Sequence, residues 1–131
     1  MVEEHSPIVR FLDALNAHDA ERVRLLLAAD FVFEEVAGAG QPSIEAFLDE
    51  LQMLFDGFPD MSFRAVRETA VGSRTYVAFH AVGTHQGTFL GVPASAKRVF
   101  LSGVLNLEIE GGTIHRLRHT IDFGGLRRQV L

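Results

Sequence analysis

The chain has 131 residues, 47% of them hydrophobic and 22% charged, and a formal net charge of −5, which fits one folded domain with a real core rather than a disordered segment. Its eleven arginines and single lysine, Lys97, are scattered, so the basic stripe that nucleic acid or an anionic membrane would demand is missing. Cysteine is absent, which excludes disulfides and thiolate chemistry, and no apolar run reaches the roughly 20 residues that span a bilayer.

The opening Met1-Val2-Glu3-Glu4-His5 is acidic and has no apolar core, unlike a signal peptide, so a cytoplasmic location is expected. Ser6-Pro7 then starts a helix, with serine as the cap and proline at the first helical position. Ile8, Phe11, Leu12 and Leu15 supply its apolar side at helical spacing. Asn16-Ala17-His18-Asp19 breaks that helix and caps a second, whose apolar residues are Val23, Leu26 and Leu27. Phe31-Val32-Phe33 reads as a short strand. Ala37 to Pro42 reads as a loop, and Ser43 as the cap of a third helix with the stripe Phe47, Leu48, Leu51, Leu54 and Phe55, ended at Gly57-Phe58-Pro59-Asp60.

The period then changes. Met61 to Val71, Thr75 to Gln86, Arg98 to Glu110 and Thr113 to Ile121 are rich in β-branched and aromatic residues and read as strands. Gly72-Ser73 and Gly111-Gly112 form tight turns. The longer connection Gly87 to Ala96 carries Phe89, Leu90, Val92 and Pro93, which mark it as a pocket rim or a dimer contact. Helices followed by an antiparallel sheet predict an α+β fold with helices on one face of a curved sheet. No linker or repeat interrupts the pattern, so residues 1–131 are read as a single domain.

Chemistry concentrates near the end of the chain. If Ile114 to Asp122 is extended, Arg118, Thr120 and Asp122 share one face, and Leu117, His119 and Ile121 the other. Asp122, at the end of an apolar strand, is either a cap for Gly124-Gly125 or a poised proton carrier. His85 shares strand parity with Val77, Phe79 and Ala81. It is either a pocket-wall proton partner or a histidine bonded to a backbone carbonyl near Gly87. His119 faces away from Asp122, which favours an outer-face or subunit-contact role. His115 and His119 lie about 13 Å apart along a strand, too far to share a metal ion, and no metal is expected. Eleven phenylalanines against one tyrosine and no tryptophan leave few interior donors, so a ligand should be mainly apolar. Phe11, Phe55, Phe79 and Leu105 are candidates for its lining.

The chain resembles the SnoaL-like polyketide cyclases of the nuclear-transport-factor-2-like superfamily over nearly its whole length. The resemblance rests on Leu15-Asn16-Ala17-His18-Asp19, Phe58-Pro59-Asp60-Met61, Gly83-Thr84-His85-Gln86-Gly87 with Leu90-Gly91-Val92-Pro93, and Gly112-Thr113-Ile114 leading to Asp122 and Gln129. It implies a cone in which three N-terminal helices pack on a strongly curved, mainly antiparallel sheet, with a pocket between. It further implies cofactor-free aldol chemistry with an aspartate at the Asp122 position as general acid/base, and dimerisation through the sheet. Arg118 stands where the family keeps a large aromatic; pointing inward, it would bind a substrate oxygen or pair with Asp122 and weaken it as a base. In the related ketosteroid isomerases the base falls at Glu35, but their oxyanion tyrosine would fall at Phe11 and their protonated acid near Leu105. Neither can donate a hydrogen bond, so Glu34 and Glu35 are read chiefly as solvated carboxylates.

The resulting expectation is a SnoaL-like enzyme without cofactor or metal, acting on a small hydrophobic carbonyl compound. Asp122 and His85 would be catalytic, and Arg118, Thr120, Phe79, Leu105, Phe11, Phe55 and Glu35 substrate-binding. The alternative is a non-catalytic binding or regulatory module of the same fold. Neither nucleic acid nor membrane is expected as a partner, and a homodimer would form through the outer sheet face at His80, Val82, Phe100, Val104 and Asn106.

Overall fold

The protein is described by a computed structural model over residues 6–34 and 44–131; the expected loop at 37–42 and cap at Ser43 lie outside these. Helix α1 (Pro7–Asn16) begins where the sequence places it, with the Ser6 hydroxyl accepting from Val9 N at 3.2 Å and Pro7 in the first turn. Ile8, Phe11, Ala14 and Leu15 form its buried side. Asp19 caps α2 (Ala20–Arg24) by accepting from Glu21 N and Arg22 N. This helix is shorter than its apolar residues suggest, because Leu27 already belongs to strand β1 (Leu27–Phe33). There it pairs with Ile114, and tertiary pairing outweighs leucine's local helix preference.

Helix α3 (Ile44–Gly57) buries Phe47, Leu48, Leu51, Leu54 and Phe55. Strands β2 (Ser62–Val71), β3 (Arg74–Thr84), β4 (Arg98–Glu110) and β5 (Thr113–His119) follow. The sheet order is β1-β5-β4-β3-β2, parallel between β1 and β5 and antiparallel elsewhere. Register shifts at Ala65/Arg67, Glu108/Ile109 and Leu27/Val32 interrupt the ladders. Such bulges bend strands and raise their twist, which gives the sheet a concave face for helices to fill. The fold is thus the expected α+β cone. Odd-numbered Val77, Phe79, Ala81, Leu101, Leu105 and Leu107 point into it and are buried.

A fourth helix, α4 (Phe123–Val130), completes the chain and is absent from the sequence reading. Its Gly124-Gly125 pair opposes helix formation, but Asp122 caps it and Leu126 and Val130 bury one side. It also solves an edge problem. The first half of β4 has no β5 partner, and Gln129 donates to Phe100 O at 2.7 Å while accepting from Phe100 N at 2.9 Å. One side chain thereby mimics a neighbouring strand.

Candidate active site

Between α1, α3 and the concave face lies about 390 Å³ of empty space, counting its open mouth, lined by Phe11, Leu12, Leu15, Phe47, Leu51, Leu54, Phe63, Phe79, Leu105 and Ile121 together with Glu50 and His119. Phe11, Leu54 and Phe79 are essentially buried and form its depth, while Leu12 and Ile121 are partly exposed and sit towards the mouth. The cavity is narrow and admits little more than a single water molecule.

Among the described residues, the only ionisable side chains on this lining are Glu50 and His119, and they touch. His119 Nε2 lies 2.5 Å from Glu50 Oε1, with side-chain exposures of 12% and 17%. Ile121 N donates to His119 Nδ1 at 3.3 Å. A nitrogen that accepts a backbone N–H carries no proton, so the imidazole proton belongs on Nε2 and points at Glu50. Glu50 is then the accepting carboxylate, and its second oxygen has no partner among the described residues. The ring of His119 is held by Phe33, centroids 5.5 Å apart, and edge-on by Phe123 at 5.8 Å and 85°. A carboxylate oriented by an imidazole in an apolar surround can take a proton from a ligand and return it.

The SnoaL-like polyketide cyclase family model matches residues 7–130. The chain belongs to the SnoaL-like polyketide cyclase family. Solved structures share the fold. AclR of Streptomyces galilaeus, a proposed hydroxylase, is 20% identical with a TM-score of 0.85, covering 95% of this chain and 92% of that one. IdmH of Streptomyces antibioticus, a proposed polyketide cyclase, is 25% identical with a TM-score of 0.80, covering 94% of each. A proposed SnoaL-like cyclase from Jannaschia sp. CCS1 is 22% identical with a TM-score of 0.81, covering 95% and 88%. No functionally curated protein gives a match.

Within this SnoaL-like frame, several expected site residues fall elsewhere. The two faces of the last strand alternate as expected, but the inward one is reversed: Leu117 and His119 point into the cone and Arg118 out of it. Burying Leu117 fully and Ile121 partly outweighs burying an arginine and an acid. Asp122 is the cap of α4, accepting from Gly125 N at 2.8 Å, with a side chain 73% exposed and 3.8 Å from Arg128. Arg118 is half exposed and lies 3.9 Å from Glu34, which Arg116 also holds at 2.6 Å. The Thr120 hydroxyl accepts from Val104 N and so extends the β4 pairing.

His85 is fully buried, yet it does not line the cavity. Its Nδ1 accepts from Ser95 N at 3.1 Å and faces Ser95 Oγ at 2.8 Å, so it closes the base of the β3–β4 connection. Its partner is a serine, not the backbone carbonyl considered from sequence. Phe55 is buried but stacks on His18, centroids 4.3 Å apart, away from the cavity. Phe11, Phe79 and Leu105 do line it. Glu35 lies outside the described residues.

Glu50 was missed from sequence, although a signal was there. It stands three residues after Phe47 and four before Leu54, beside the apolar stripe of α3, where an acid is unusual. For His119 the signal was the apolar company of Leu117 and Ile121 on its own side of the strand.

Proposed function

We propose that this SnoaL-like chain is a cofactor-independent acid/base enzyme for a small, mainly apolar carbonyl compound, and that Glu50 with His119, rather than Asp122, carries the proton. The observation behind this reading is the contact between Glu50 and His119 at the polar end of an otherwise apolar cavity. The free Glu50 oxygen would remove a proton from the carbon next to the ligand carbonyl. The resulting enolate carbon attacks a second carbonyl of the same molecule, forming a carbon–carbon bond. The new alkoxide takes the proton back from Glu50, so the carboxylate is regenerated. His119 keeps one Glu50 oxygen hydrogen-bonded throughout and so orients the other.

Solvent-deuterium exchange into the α position of small aryl and alkyl ketones tests this before the natural substrate is known. Glu50→Gln is expected to slow exchange by about 10²–10⁴-fold, and Asp122→Asn to leave it within a few-fold. Loss of exchange in Asp122→Asn with Glu50→Gln unaffected would return the role to Asp122.

A second reading, a binding module without chemistry, draws on the engagement of both His119 nitrogens and on the narrowness of the cavity. A ligand that binds with no exchange of its α protons would favour it. Both readings pair two copies through the outer sheet face, where Tyr76, Val82, Phe100 and Val104 are exposed. Phe100→Asp should then yield a monomer in sedimentation, whereas an unchanged sedimentation coefficient would remove that interface.

A further inference from the structure

Phe79 and Gly103 stand directly opposite one another in the β3–β4 register. Gly103 has the parity of Leu101 and Leu105, which point into the cone, yet it contributes no side chain there. The ring of Phe79 fills the gap. A Cβ on Gly103 would lie 3.1 Å from both Cε1 and Cζ of Phe79, and 3.4 Å from the Thr120 hydroxyl. The tip of the ring therefore lies over the glycine, while Phe79 itself lines the cavity that holds Glu50 and His119. Phe79 is 2% exposed and leans on Phe63, centroids 6.0 Å apart. No other glycine of the sheet meets a cavity-lining side chain in this way among the described residues.

We infer that Phe79, seated over Gly103, is the floor that sets how far an apolar ligand reaches into the cone, and so determines specificity for ligand length. The inference rests on the reading of this cavity as the ligand site. Polar recognition is confined to Glu50 and His119, which are partly exposed where Phe79 is buried. A ligand must then hold its carbonyl towards the mouth and send an apolar arm inward. The arm ends at Phe79. Removing the ring would open the space above Gly103. Adding a methyl at Gly103 would push the ring towards the ligand, because nothing softer than the ring itself and Thr120 can yield.

The probe is a series of straight-chain methyl ketones from butanone to undecanone, with binding to the intact chain followed by NMR shifts of the Leu54 and Leu105 methyl groups. Affinity should rise about fourfold per added methylene up to a cut-off length, and then stop rising. In Phe79→Ala the cut-off should move out by about two or three carbons, roughly the side-chain volume removed. Phe79→Leu, a milder change that keeps the core filled, should move it by about one. Gly103→Ala should shorten it. An unchanged cut-off in both Phe79 variants would overturn the inference while leaving the cavity as ligand site. Absence of binding by every ketone to the wild-type chain would instead overturn the cavity reading and the inference with it.

Discussion

Glu50 and His119 present the sharpest energetic question at the level of single residues. A partly buried carboxylate and imidazole in contact stabilise one another, but each leaves a costly orphan if the other is removed. Glu50→Ala and His119→Ala should therefore each destabilise the fold. The double variant should lose less than the sum, with a coupling of about 1–3 kcal/mol in a denaturation cycle. Strict additivity would mean that the contact is not formed in solution. His85 carries a different burden. Its Nδ1 satisfies the Ser95 amide, and its buried Nε2 has no hydrogen-bond partner among the described residues, with Phe58 packed at 5.5 Å. His85→Ala should leave that amide unpaired and cost about 1–3 kcal/mol, read from the urea midpoint, with little change in ketone exchange. A large loss of exchange at unchanged stability would instead give His85 a part in the chemistry.

At the scale of elements, α4 depends on Asp122. Asp122→Ala removes the cap and should cost about 0.5–2 kcal/mol. A Cβ at Gly125 would lie 2.5 Å from Asp122 Oδ2, so Gly125→Ala should undo the same cap despite alanine's higher helix propensity. The start of β2 and the end of β3 are tied by Asp60, whose carboxylate accepts from Thr84 N at 2.6 Å and from the Thr84 hydroxyl at 2.8 Å. The Thr84 N–H, chiefly, holds the Asp60 carboxyl below the usual carboxylate range. A lowered folded-state value contributes stability that is fully present above the unfolded value of about 3.9. That contribution fades as the pH falls through the folded value. Asp60→Asn should therefore lower stability at neutral pH and flatten the acid limb of the stability curve below about pH 4. An acid limb identical to that of the wild type would show that the tie is absent in solution.

At the scale of the molecule, the cone was legible because it is written in periodicity. The apolar stripes of α1 and α3, the glycine turns and the alternation in β3 and β4 each agree with burial on one concave face. The parallel pairing of β1 with β5 was not legible, since it joins segments more than eighty residues apart and no local signal encodes it. Nor was α4, whose two glycines mask a capped helix that covers the free edge of β4. The site was legible only in its apolar part. Phe11, Phe79 and Leu105 follow from pattern, but choosing between the two faces of β5 required weighing the apolar residues on each. The acid drew attention to the face that turned out to be solvent-facing. Glu50, embedded in an apolar stripe, needed only the question of what an acid does there.

The measurement that tests the account most directly is solvent-deuterium exchange into a bound ketone by the wild type, Glu50→Gln and Asp122→Asn side by side. Exchange is expected in the wild type and at a similar rate in Asp122→Asn, with a loss of about 10²-fold or more in Glu50→Gln. Exchange that survives in Glu50→Gln and disappears in Asp122→Asn would contradict the account.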